Sequence, residues 1–254
     1  MPTVQEIFEA IAQWAPTDLQ MDFDNSGFLL GHGDRQVHKV LLTLDITLPV
    51  IREAEELGAE LIVSHHPLIF RPLKSLTDCG SGRKTLELAE KGIAAICMHT
   101  NLDIAADGVN DVLIRLLGAE PEGALDAEGC GRVGTLARGM ELADFLVRCK
   151  EKLGTKGIRY VDGGKPVRRI AVMGGSGGDE FLIALEKGCD TYVTADVKYH
   201  SFLDAAEAGL NLIDADHFCT ENPVIPNLGR RLQQAFPELE CRVSRVHGPV
   251  ISFF

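Results

Sequence analysis

Apolar positions along this chain switch repeatedly between helical spacing and short unbroken runs. Val4, Ile7, Phe8 and Ile11 fall on one helical face, which predicts an amphipathic helix over 4–14. The following stretch, FDNSGFLLG from Phe23 to Gly31, is rich in turn formers, with Asp24, Asn25, Gly27 and Gly31. Lys39–Leu44 is an apolar strand that stops at Asp45. Pro49 stands where a helix can begin, and Val50–Leu57 carries that helix to Gly58. Leu61, Ile62 and Val63 make the next run, with the unbroken apolar character of a strand buried on both faces. Pro67 has no N–H to give to a ladder, so this strand ends at His65 and His66. A polar loop over Thr77–Gly82 leads into a helix that runs through Lys91 and is closed by Gly92. Ile93–Met98 is again a strand and runs into His99, Asn101 and Asp103; Gly108–Leu117 reads as a helix.

After a loop-like stretch over 119–131, the same alternation returns. Glu141–Leu153 is predicted helical and Arg168–Met173 a strand. The glycine-rich run Gly174–Gly178 then precedes a helix through Lys187. Thr191–Thr194 is a strand ending near Asp196 and His200, followed by a helix over Leu203–Ala208. Asn211–Ile213 is a strand leading into Asp214, Asp216, His217 and Glu221. A helix over 224–235 and a strand within 241–253 close the pattern. Strands alternating with helices predict an α/β fold with parallel sheets. The expected organisation is two intimately joined α/β units with a di-metal site between them. The first spans 1–124 and 209–254, and the second 125–208. In such sheets, ligand groups collect at the carboxyl ends of the strands, where these histidines and acids fall.

Composition narrows the function classes. With 254 residues, 45% hydrophobic and 24% charged, the chain is ordinary for a globular protein. Its formal net charge of −12 argues against a non-specific nucleic-acid surface, which needs clustered Lys and Arg. A phosphate-bearing substrate is compatible if metal ions supply local positive charge. The seven cysteines are scattered, odd in number and without a CxxC, the usage of a reducing compartment. No apolar run approaches the length of a membrane span, and no signal-peptide pattern opens the sequence. A cytoplasmic protein without a membrane partner is the expectation.

The chemistry-bearing residues are His65, His66, Asp103, His217 and Glu221, with Asp45, His99, Asp196 and His200 of the same kind. Histidine with carboxylate suits Zn, Fe, Mn, Co or Ni better than Ca. His217 and Glu221, four apart, share one face of any helix that begins there and can grip one ion. A carboxylate can also bridge two cations. Taken alone, a histidine pair is equally a hydrogen-bonded loop feature. His99 and His200 read either as general acids or bases or as residues that orient a ligand. For Asp45 and Asp196, capping a following turn is preferred over touching metal-bound water. Gly174–Gly178 lacks the lysine of a P-loop and reads as a tight strand–helix turn rather than a phosphate cradle. Asn25 and Gly27 read as turn residues, and Cys219 as core packing.

Five of these stretches, in order, resemble one known family, the NGG-interacting-factor-three-like proteins, often labelled GTP cyclohydrolase I type 2 homologs. FDNSGFLLG is similar to the family's DN-x-G-x-x-x-G, LIVSHHPLIF to its histidine-pair motif and CMHTNLD to its HTNLD motif. MGGSGG followed by TADVKYH is similar to its glycine turn and TGD-x-KYH, and DADHFCTE to its GH-x-x-TE. The resemblance implies two divalent metal ions held by His65, His66, Asp103, His217 and Glu221, with Glu221 the bridge. It implies a toroidal homohexamer and, at this length, the short form without an inserted domain. It also implies GTP cyclohydrolase-type chemistry, in which GTP gives formate and dihydroneopterin triphosphate, with His99 or His200 shuttling protons. Alternatives are a nucleotide phosphoesterase and a non-enzymatic metal-binding regulatory or metal-delivery protein. Ala195 and Asp216 depart from the family pattern, each standing where glycine is usual. Asp216 adds a carboxylate beside the expected site.

Overall fold

The computed structural model describes residues 1–253. The chain divides into two units. The first is Met1–Ala106 with Val224–Gly248; the second is Asp107–Pro223 with the chain from Pro249 onward.

In the first unit, helix α1 (Val4–Trp14) opens on a reciprocal cap. Thr3 Oγ1 accepts from the Glu6 N–H at 3.2 Å, and the Glu6 carboxylate accepts from the Thr3 N–H at 2.7 Å. Strands β1 (Gly27–Leu30) and β2 (Lys39–Thr43) follow. Helix α2 (Leu48–Leu57) starts behind the Thr47 cap with proline in its first turn and stops at Gly58, which is left-handed at φ 66°. Then come β3 (Leu61–Ser64), α3 (Gly80–Lys91), β4 (Ala94–Cys97) and the one-turn α4 (Thr100–Ile104). Helix α10 (Val224–Ala235) and strand β10 (Glu240–Val243) return to this unit. Its sheet has the order β1-β4-β3-β2-β10, with β10, β2, β3 and β4 parallel and β1 antiparallel to β4. The core, Leu41, Val50, Ile51, Ile62, Leu88 and Cys97 among others, lies where α2 and α3 cover the sheet.

The second unit begins with α5 (Val109–Leu116), β5 (Arg132–Met140), α6 (Leu142–Leu153) and β6 (Arg159–Val161). It continues with β7 (Val167–Ser176), α7 (Phe181–Glu186), β8 (Thr191–Ala195), α8 (Tyr199–Glu207), β9 (Asn211–Asp214) and α9 (His217–Glu221). The sheet order is β5-β7-β8-β9-β6, parallel through β7, β8 and β9 and antiparallel at both edges. Phe145, Cys149, Ile170, Val193, Ile213 and Cys219 belong to its core.

The α/β class and the parallel βαβαβ centre of each unit agree with the sequence pattern. The boundaries fall elsewhere than expected, at 106/107 and 223/224 rather than 124/125 and 208/209. The reason is pairing. β9 lies parallel against β8, so 211–214 is a strand of the second sheet. Helix α5 packs on β7 and on α9, which brings it with that sheet. Strands β1, β5 and β6 are not legible as strands in the sequence: β1 is four residues set among turn formers, and β5 and β6 are partly exposed edges without a continuous apolar run. The Gly174–Ser176 segment, expected as a turn, is the end of β7, where the register with β8 shifts between Val172 and Ser176.

Candidate metal-binding residues in the two units

The first unit gathers three histidines at the ends of β3 and β4. His65 and His66 are still held to β2 and the residue that follows it by backbone bonds, His65 N to Thr43 O at 3.3 Å and His66 N to Leu44 O at 2.9 Å. The Ser64 hydroxyl donates to the His66 carbonyl at 2.8 Å and turns the chain. Ring centroids stand 5.0 Å apart for His65 and His66, 5.3 Å for His65 and His99, and 5.6 Å for His66 and His99. Each offers a ring nitrogen, and the three nitrogens lie within 4.8 Å of one another. Asp103, on α4, puts Oδ1 3.7 Å from His65 Nε2. His65 is fully buried and Asp103 nearly so.

The orientation of these rings is set at Nδ1. His65 Nδ1 lies 2.8 Å from the Met98 carbonyl oxygen, His66 Nδ1 2.7 Å from Asp45 Oδ1, and His99 Nδ1 2.7 Å from Asp24 Oδ1. A carbonyl or carboxylate oxygen only accepts, so the proton sits on Nδ1 and Nε2 turns outward. This is how proteins prepare an imidazole as a metal ligand. Asp24 has no role legible in the sequence beyond its turn. It is a buried carboxylate that accepts from His99, from the Asn25 and Thr100 N–H groups and from the Ser26 and Thr100 hydroxyls. Burial pushes its pKa up, but the hydrogen bonds from His99 and Thr100 outweigh burial and hold it well below the usual carboxylate range.

The second unit carries its own pair at the end of β9. His217 and Glu221 are first and last on α9, and His217 Nε2 stands 3.1 Å from Glu221 Oε2. His217 Nδ1 is 2.7 Å from Asp196 Oδ2, after β8. Again Nδ1 carries the proton toward an acceptor, and Nε2 faces a second acceptor. Two acceptor atoms at that distance want a cation between them, a proton or a metal ion. Asp45 and Asp196 therefore differ from the capping role preferred for them. The caps of α2 and α8 are Thr47 and Lys198, while both acids hold histidine rings. Asp216 does cap: its carboxylate accepts from the Cys219 N–H at 3.0 Å, and its φ of 74° is a conformation glycine adopts more easily.

The glycine run serves this pair. A Cβ at Gly175 (φ 68°) would run into the Glu221 carboxylate and stand 3.1 Å from His217 Nε2. One at Gly174 would meet Val109 Cγ1 at 2.8 Å and Glu221 Cγ at 3.3 Å. The run's N–H groups are spent on protein: Gly174 donates to Asn110 Oδ1, Gly175 to Thr220 Oγ1 and Gly177 to Thr194 Oγ1. That favours close approach over phosphate binding. His200 lies exposed in the first turn of α8, and among the described residues no hydrogen bond or ion pair joins it to His217 or Glu221. Cys219 is packed in the core, as its helical position required.

The donors fit a first-row transition metal: imidazole Nε2 atoms with fixed tautomers, and carboxylates beside them. No helix among the described residues is long and apolar enough to cross a membrane. A Clostridium perfringens protein named GTP cyclohydrolase 1 type 2 homolog is 38% identical over 239 residues, covering 91% of each chain. The structure of a Bacillus cereus protein related to NIF3 superposes with a TM-score of 0.93 at 26% identity, over 100% of this chain and 99% of that one. Reduced HcgD from Methanocaldococcus jannaschii superposes with a TM-score of 0.83 at 33% identity, over 95% and 97%. The model of the family Duf34/NIF3 (NGG1p interacting factor 3) matches residues 2–249, and this chain belongs to that family.

Proposed function

We propose that this chain is a divalent-metal-dependent hydrolase of a purine nucleotide, with chemistry of the GTP cyclohydrolase type. His65, His66 and Asp103 of the first unit and His217 and Glu221 of the second are the proposed ligands of two ions, Glu221 serving both. The observation that carries the reading is the common orientation of the histidines. His65, His66, His99 and His217 each direct Nδ1 at a fixed acceptor. Histidines that ligate a metal almost always donate their other ring N–H to such an acceptor, and this arrangement supports the reading. The name of the Clostridium perfringens relative supports the substrate class.

When bound, such ions would supply Lewis acidity and positive charge beside the reacting water and the phosphates. The chain supplies the rest. His99 is the proposed proton carrier: Asp24 accepts from its Nδ1, which fixes the tautomer and leaves Nε2 as the atom that would pass a proton. Addition of water at carbon 8 of guanine would open the imidazole and a second water would release carbon 8 as formate; rearrangement of the ribose to a 2′-ketone and closure of the freed N7 amine onto C2′, with loss of one water, would then give dihydroneopterin triphosphate.

The test is GTP with metal-loaded protein, following formate and pterin fluorescence against free phosphate. Formate is expected, and Glu221→Ala should lose most of both metals by elemental analysis. Phosphate without formate would make the protein a phosphoesterase. Neither product, from protein holding both metals, would make it a metal-binding regulator or carrier.

A further inference from the structure

Beside the histidines of the first unit lie two phenylalanines in solvent. Phe23 is 67% exposed and Phe70 40% exposed. They come from separate loops, one before β1 and one after β3, yet their rings meet edge to face with centroids 6.3 Å apart. Phe70 in turn stands 6.0 Å from the His99 ring at 86°. The loops are tied together: the Asn25 side-chain amide donates to the Ile69 carbonyl at 2.5 Å. Asp24, between Phe23 and Asn25, is anchored to His99 and Thr100. Neither ring hangs on a loose tip.

Aromatic side chains make up 6% of this sequence, and leaving two of them wet costs burial free energy. An apolar π-surface held next to imidazoles that face a reaction centre suits a flat aromatic heterocycle. Base–aromatic stacking is sequence-tolerant and strong because every heterocycle has a π-face. We propose that Phe23 and Phe70 form a stacking platform for the planar nitrogen heterocycle of the substrate, which holds the ring against His99. The inference rests on the hydrolase reading for the identity of that heterocycle, a purine. It gives Asn25 a function the turn alone does not explain: it locks the platform by holding Ile69.

The experiment measures binding, not turnover. The probe is the 5′-triphosphate of 2-aminopurine riboside, whose fluorescence is quenched on stacking, with inorganic tripolyphosphate as the ligand lacking a ring. Wild-type protein, metal-loaded, should bind and quench the probe. Phe23→Ala with Phe70→Ala should weaken probe affinity by about 10- to 100-fold and leave tripolyphosphate affinity unchanged. Phe70→Tyr should keep the quenching. Three results would overturn the platform: no probe binding by wild type, equal loss of both ligands in the double variant, or unchanged probe affinity. The last, accompanied by a change in particle mass, would identify the pair as a contact between copies of this chain. The two readings fail separately. Probe binding that depends on the phenylalanines, in protein that releases no formate, sinks the hydrolase and keeps the platform. Formate release at unchanged KM by the double variant does the reverse.

Discussion

Individual carboxylates do more here than their positions in the sequence suggest. Asp45 holds His66 and Asp196 holds His217, each at 2.7 Å and each across 21 residues of chain. In both cases the acid follows one parallel strand and the histidine follows the next. A strand–helix–strand unit thus delivers an orienting acid to a ligand as a by-product of its own geometry. Replacing either acid by alanine frees the ring to rotate and removes the acceptor that fixes its tautomer. Asp45→Ala and Asp196→Ala should each lower metal affinity by about 10- to 100-fold, with the asparagine variants between, in competition with a chromophoric chelator. Affinities equal to wild type would show that these acids do not position the ligands. Gly175 is the complementary case. Alanine there meets the Glu221 carboxylate at a left-handed φ, so Gly175→Ala should lose roughly 1–3 kcal/mol in urea unfolding and release metal.

Elements are where prediction from pattern succeeds and fails most clearly. Helices with a cap and a stop, such as α2 between Thr47 and Gly58, are legible because the terminating residues are local. Strand β5 is not, because its burial depends on what the fold lays beside it. Its first residue, Arg132, is buried and donates to the buried Asp111 of α5, and to the Gly129 and Gly131 carbonyls. This pair joins α5 to the edge of the second sheet, and nothing in either segment alone announces it. Asp111→Ala would leave the guanidinium without its nearest counter-charge in a low-dielectric position. A loss of about 3–5 kcal/mol is expected by chemical denaturation, against little change for the exposed Arg242→Ala. A loss below about 1 kcal/mol, on the order given by surface pairs, would show that the buried charge finds compensation elsewhere.

For the whole chain, burial decides which thiols can react. Burial pushes the Cys97 thiol up to about 11 and that of Cys149 up to about 12, while Cys79 is exposed. At a pH of about 8, near the ordinary thiol pKa, a thiol reagent should label Cys79 first, and Cys97 and Cys149 only on unfolding. Labelling of all at one rate would mean the units open readily. The proposed homohexamer is a question for light scattering on the native protein, where a monomer at every concentration would remove it. The α/β class, the parallel strand–helix alternation and the placing of His65, His66, His99, Asp103 and His217 at strand or helix ends are legible in the amino-acid order, because burial on both faces and proline or glycine stops are written locally. That order also carries the i, i+4 relation of His217 and Glu221, which needs only one helical turn. The unit boundaries, the hydrogen bonds of Asp24, Asp45 and Asp196 to histidine rings, the need for glycine at 175 and the meeting of Phe23 with Phe70 emerge only once the chain is folded. Each of these depends on strand order, register or the approach of two loops distant in sequence, and such long-range pairings leave no periodic trace in the chain that makes them.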